Sequence, residues 1–227
     1  METFKKINRI QRNLVLIFYI ALCLALIIPV WTLFTSMKVP YSVDIIVVIL
    51  FLVIFVLLGA YSYLIVFLPE RLNRNFDIIR NKIALGEIDN VEKFSKEVIS
   101  FLIKHFDYIF FDIEYAGIGV REFDALYLSD DLNEDFLPNK EKLFRIAADS
   151  ENPKFLGTIK PLEKKSYLYL VPVWFYEENI GFIIVVTNRK LGNLFKGILK
   201  DFENYYFDDQ LKLVIRLSKL KKGEAYQ

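Results

Sequence analysis

A few side chains in this sequence are of types that do chemistry, and their spacing decides which chemistry is open to them. His105 is the single histidine. A Ser-His-Asp relay would have to be built around it, yet no motif of that kind surrounds it. Placed at the end of a helical stretch just before Phe106, it is suited to meeting the helix's last carbonyls. The run DLNEDF, residues 131–136, opens like a calcium loop, with Asp131, Asn133 and Asp135 at positions one, three and five. Such a loop needs glycine at position six and glutamate at position twelve, where this chain has Phe136 and Lys142. It reads as a solvated acidic loop. Gly117-Ile118-Gly119 lacks the remaining glycine and the lysine of a phosphate-binding loop. The one cysteine, Cys23, sits in an uncharged apolar run. That leaves no intramolecular disulfide, no cysteine metal cluster and no soluble thiol nucleophile. No enzymatic constellation emerges, and neither a metal nor a haem is implied.

Two carboxylates hold a more specific position. The stretch YIFFDIEY, residues 108–115, alternates, with Ile109, Phe111, Ile113 and Tyr115 on one side and Tyr108, Phe110, Asp112 and Glu114 on the other. An unpaired charge on a central strand is costly. Asp112 and Glu114 therefore face either a ligand pocket or a partner such as a lysine or solvent. Tyr127 and Trp174 are candidate walls of the same pocket, or else core. These four residues form the candidate ligand-binding set.

The elements that must position them begin with two long apolar runs. Residues 14–34 and 45–68 contain no Asp, Glu, Lys or Arg. As helices they would reach about 31 and 36 Å, enough to cross a hydrocarbon layer of about 30 Å. A two-helix transmembrane hairpin over 14–68 is expected, with Pro29 tolerated inside the first span and Trp31 and Tyr41 at the interface. Lys5, Lys6, Arg9 and Arg12 precede it in a basic segment, 1–13, and Arg71, Arg74, Arg80 and Lys82 follow it, whereas the connecting loop carries Lys38 alone. This asymmetry places both termini in the cytoplasm, with the chain in the cell membrane and its basic residues at lipid headgroups. The formal net charge of +1 gives no footprint for nucleic acid.

A linker helix is predicted next, within 69–87. Leu72, Phe76, Ile79 and Ile83 form a narrow apolar seam that fits a parallel homodimer, a lipid surface or the chain's own domain. Gly86 is a natural stop. Asp89 and Glu92 stand at capping-box spacing before a helix that continues to about 105. Strands follow at 108–115 and 123–129, then a less regular region, 130–165, with one helix at 139–149. Residues 166–190, SYLYLVPVWFYEENIGFIIVVTNRK, read as a hairpin turning at Glu177, Glu178 and Asn179. Both of its faces are apolar, so it belongs at the sheet centre, and Pro172 should mark a bulge or the strand's free side. A long helix over 193–222 ends the pattern, with Phe195, Ile198, Leu199, Phe202, Tyr206, Leu213, Leu217 and Leu220 at helical spacings. The fold class is α+β, a central antiparallel sheet flanked by helices.

The hairpin and its following helix resemble the second half of a GAF domain, in which a strand ending near a proline turns into a glycine-led strand before a terminal helix. The helix at 91–105 and the strands at 108–115 and 123–129 fit the first half, so the resemblance covers about 88–222, within a cytoplasmic domain of 88–227. PAS-like domains share much of the pattern. The resemblance implies a sensory or regulatory module with a small-ligand pocket between one sheet face and the variable middle segment, and a tendency to dimerise. The cyclic-nucleotide motif is absent; NPKF at 152–155 only echoes it. No cytoplasmic cysteine could attach a bilin. With no kinase or cyclase segment in the sequence, the output is expected from a partner protein in trans. A second expectation is a non-sensing anchoring subunit whose filled fold docks a partner.

Overall fold

The computed structural model describes residues 68–106, 112–161, 164–221 and 223, together with isolated helical positions at 17, 49, 53, 56 and 59. The spans expected at 14–34 and 45–68 otherwise lie outside the described residues, as do the basic segment 1–13 and the connecting loop. Among the described residues no helix is long and apolar enough to cross a membrane. The contact pattern divides the chain into Met1–Arg71 and Leu72–Gln227.

Helix α1, Leu68–Ala84, is built on the spacing of Leu72, Phe76, Ile79 and Ile83. It stops as the sequence requires. Gly86 adopts φ +77, its N–H donates to the Ile83 carbonyl at 3.0 Å, and that of Glu87 donates to Lys82 at 2.9 Å. This is the paired hydrogen bonding of a Schellman end. Helix α2, Val91–His105, is capped by Asn90, whose side chain accepts from the Lys93 N–H at 2.9 Å. The capping-box pair Asp89 and Glu92 is not used. Asp89 instead binds Lys221 and Lys93, which hold its carboxyl down at about 2.

The apolar seam of α1 is not free for a second chain. Leu72 and Phe76 are fully buried, and Ile79 and Ile83 are 4% and 5% exposed, all within one copy. Phe76 meets Phe101 of α2 edge-on at 5.3 Å and Phe202 at 5.5 Å. The seam is domain core, and the predicted linker at 69–87 belongs to the domain from Leu72 onward. Arg80 and Lys82, expected at lipid headgroups, bind Asp77 and Glu97 at 2.8 and 2.7 Å.

Strands β1, Ile113–Val120, and β2, Ala125–Leu128, pair across a short 3-10 turn, Arg121–Phe123. β1 therefore runs further than its predicted end at 115 and includes Gly117 and Gly119. The Phe182 ring fills the space a Cβ on Gly119 would occupy, which lets glycine sit in a central strand without a void. A second 3-10 turn, Glu134–Phe136, precedes α3, Lys140–Ala148. Strand β3, Lys154–Ile159, was not expected. It is an edge strand, bulged between Phe155 and Gly157, and its mixed exposure erases the period-two signal. Strands β4, Ser166–Phe175, and β5, Glu178–Thr187, form the anticipated hairpin. Its turn is Tyr176-Glu177, since Glu178 and Asn179 already pair with Phe175 and Trp174. The register shifts between Val173 and Trp174, directly after Pro172.

The sheet is antiparallel, ordered β2-β1-β5-β4-β3. One face of the central strands, Leu168, Leu170, Phe182, Ile184 and Val186, packs with Leu143, Phe144 and Ala147 of α3. The alternate residues Tyr169, Val171, Val173, Ile183 and Val185 are equally buried. β1 and β5 approach closely, and a Cβ on Gly181 would lie 2.1 Å from the Gly119 carbonyl oxygen.

The terminal helix is interrupted. α4, Asn193–Phe202, passes through a π turn, Glu203–Phe207, into α5, Asp208–Lys221. The additional residue rotates the following face by about one position. Phe207, Leu211, Val214 and Ile215 are buried, while Leu213 and Leu220, predicted inward, are 43% and 50% exposed.

Candidate functional site

The four predicted pocket residues do not converge. Trp174 pairs with Asn179 at one end of β5, and Ile113 pairs with Thr187 at the other. Eight residues of strand separate them, about 26 Å. Asp112 is committed to Asn188: its N–H donates to Oδ1 at 3.1 Å and its carboxylate accepts from Nδ2 at 2.6 Å. Glu114 accepts from the Ser166 hydroxyl at 2.7 Å and pairs with Lys164, which holds that lysine above its usual range. Glu114 thus has a lysine and a hydroxyl as partners. Tyr127 stands opposite Ile118 on β2, where burial and the Glu92 charge raise its hydroxyl pKa. His105 joins two helices, sharing a 3.2 Å hydrogen bond with Asn75 and lying 4.9 Å from the Phe101 ring. Asn133 caps its own 3-10 turn and donates to Asp135 at 2.8 Å.

Nor does the sheet face beneath α3 hold a ligand space among the described residues. Leu143, Leu170, Phe182, Ile184 and Val186 are fully buried there, and Phe182 meets Phe144 edge-on at 4.9 Å. A cleft of about 450 Å³ between α1 and α2 is lined by Lys82, Lys93, Lys96, Glu87 and Glu97. Each of its three lysines is held in an ion pair. Lys82 binds Glu97 and Lys96 binds Glu92, both at 2.7 Å, while Lys93 reaches Asp89 at 3.1 Å.

Trp174, from the predicted set, lines a cleft of about 430 Å³ with Glu151, Asn152, Tyr176, Glu177 and Lys200. Three elements meet at this tryptophan. The strand register shift turns its backbone N–H to the Glu203 carboxylate at 2.9 Å, and its indole N–H donates to the Ser150 carbonyl at 2.9 Å. Asn179, its cross-strand partner, donates to the Ala147 carbonyl at 3.4 Å and to Val173 at 3.1 Å. Hairpin tip, α3 end and π turn are thereby tied together, with both Trp174 donors satisfied and the ring fixed.

Glu203 is the residue that sequence reasoning missed. It is fully buried, and its second oxygen accepts from Lys200 at 2.7 Å. Burial pushes its carboxyl pKa up, against the opposing pull of Lys200 and the Trp174 N–H. Regular helical phasing gave no reason to expect an inward carboxylate beside Phe202. A fixed aromatic wall, an exposed tyrosine and an ion-paired lysine can hold a side chain or a peptide, and supply no nucleophile.

Comparisons of the chain with family models, with curated proteins and with solved structures find no match.

Proposed function

We propose that this chain is a membrane-anchored regulatory module of GAF-like type that works by docking a partner protein, not by enclosing a small ligand. One observation carries the choice: the sheet face beneath α3, where the GAF resemblance implies a pocket, is filled by fully buried Leu143, Leu170, Phe182 and Ile184. The sensory reading needs that space. The GAF-like assignment is supported by element order, with a helix, two strands, a variable middle, the glycine-led hairpin and a long helix around one antiparallel sheet. Anchoring rests on the uncharged runs 14–34 and 45–68. The helical positions Ile49, Val53 and Val56, spaced four and three apart, are 57%, 50% and 57% exposed, a spacing and exposure suited to lipid. Both termini are cytoplasmic in this reading, and the partner acts in trans. A homodimer through the α1 seam is no part of it, because that seam is used within the chain.

Native mass spectrometry of the full chain, purified in its own membrane lipid, tests the choice. The expected outcome is a bound protein of defined mass, no stoichiometric small molecule, and no thermal shift across a metabolite panel. A retained small molecule of one mass would restore the sensor.

A further inference from the structure

The Trp174 cleft has a chemical bias, and it names the class of partner that would fit. Its walls are the Trp174 ring and Tyr176, which is 89% exposed at the hairpin tip. Among the described residues neither ring carries a cation: the lysines and arginines that lie over rings are placed over Phe76, Phe144, Phe155, Phe175, Tyr167, Tyr169 and Tyr206. The cleft's one lysine, Lys200, is neutralised from below by buried Glu203. Glu151 and Glu177 are exposed and have no ion pair among the described residues. Glu178, next along the tip, is already paired with Lys212 at 3.0 Å. The C-terminal end of α3, two residues before the Ser150 carbonyl that holds the indole, adds partial negative charge on the same side.

Aromatic faces beside uncompensated carboxylates attract a cation, through ring quadrupole and charge together. An anionic guest would meet two like charges and find its only cation engaged. We infer that the cleft receives an arginine or lysine side chain from a basic segment of the partner protein, the guanidinium or ammonium lying over Trp174 and Tyr176 between Glu151 and Glu177. This rests on the docking reading above and specifies its contact. Tyr176 is consistent with such a use, since its φ of +54 puts a large side chain in left-handed backbone where glycine would be at ease.

The chain has two tryptophans, Trp31 and Trp174. Trp31→Phe leaves Trp174 as sole reporter inside the cleft. The full-length W31F chain in nanodiscs is titrated with acetyl-Gly-Arg-Gly-Arg-Gly-amide, and in parallel with the citrulline counterpart, which keeps shape and removes charge. A saturable change in Trp174 emission with the arginine peptide alone is expected. Glu151→Gln with Glu177→Gln should weaken it about 3- to 10-fold. Tyr176→Gly should weaken it too while leaving the urea midpoint equal or higher, because it relieves backbone strain. No saturable change up to about 1 mM, equal response to citrulline, or indifference to the glutamine pair would each overturn the assignment. Co-purification separates the two ideas. A partner protein retained equally by the parent and by E151Q/E177Q keeps docking and removes this cleft from it. A chain that retains no protein removes docking itself, whatever the peptide does.

Discussion

Glu203 and Asp208 bracket the π turn, and both carry charge where charge is expensive. Burial lifts the Asp208 carboxyl to about 6, helped by Asp209 and Glu203 and opposed by Lys200 and by the Asp209 N–H it accepts at 2.7 Å. Glu203 shifts in the same direction. For an acid whose folded pKa lies above its unfolded value, the native state binds more protons between the two. Its stabilising contribution is present below about 4 and is lost as pH rises through about 6. Discounted for partial solvent contact, the Asp208 effect is of order 1–2 kcal/mol. The domain should therefore have a higher urea midpoint at pH 5 than at pH 7, and Asp208→Asn should flatten that difference. A midpoint that rises steadily from pH 5 to pH 7 in the parent would contradict it. On the acid side, Asp89, held at about 2 by Lys221 and Lys93, supplies stability that goes as pH falls toward that value. None of this was readable in sequence. Asp208 and Glu203 look like ordinary surface acids until an extra residue in the helix turns them inward.

The helix that carries Leu72, Phe76, Ile79 and Ile83 decides where the domain begins. Each side chain is 5% exposed or less, and burying each is worth about 1.5–3 kcal/mol. Together that is about 6–12 kcal/mol, against a total of about 5–15 for a domain. A fragment starting at residue 86 should then be unfolded or molten, with lost near-UV dichroism, whereas one starting at residue 68 should melt cooperatively. Cooperative melting of the shorter fragment would show that α1 is dispensable. The spacing of those four residues was plain in the sequence, but a single apolar stripe looks the same whether a neighbouring chain or its own sheet layer covers it. The hairpin was legible for the opposite reason. A strand apolar on both faces, as Leu168 to Val173 are, has only the sheet centre to occupy. Edge strand β3 was hidden because a bulge and three exposed residues destroy alternation, and the second half of β1 because Gly117 and Gly119 read as a connection, whereas Leu128 and Phe182 cover them. The four pocket candidates were selected by residue type. Type alone placed Trp174 at a cleft; a lysine partner was among the alternatives for the two carboxylates, as Lys164 is for Glu114, but nothing pointed to Asn188 or Ser166.

At the scale of the whole chain, the proposed anchor raises the question of which side of a membrane the domain faces. In that reading the asymmetry of the basic residues places it in the cytoplasm. Lys5, Lys6, Arg9 and Arg12 lie before the first apolar run and Arg71 and Arg74 after the second, while Lys38 is alone between them. Arg80 and Lys82 count less here, since both are bound to carboxylates of the domain. Even without them the bias is six to one, which is ample to set orientation for a hairpin with so short a loop. The same orientation is needed on chemical grounds if the Trp174 cleft is to meet a partner in the cytoplasm. In a Cys23→Ser background, Lys38→Cys should react with a membrane-impermeant maleimide on intact cells. Asn193→Cys, exposed at the start of α4, should react only after permeabilisation. The reverse pattern would move the domain and its partner outside the cell. Labelling of both sites only after lysis, with the chain released by alkaline carbonate, would make the two apolar runs buried helices of a soluble protein and remove the anchor altogether.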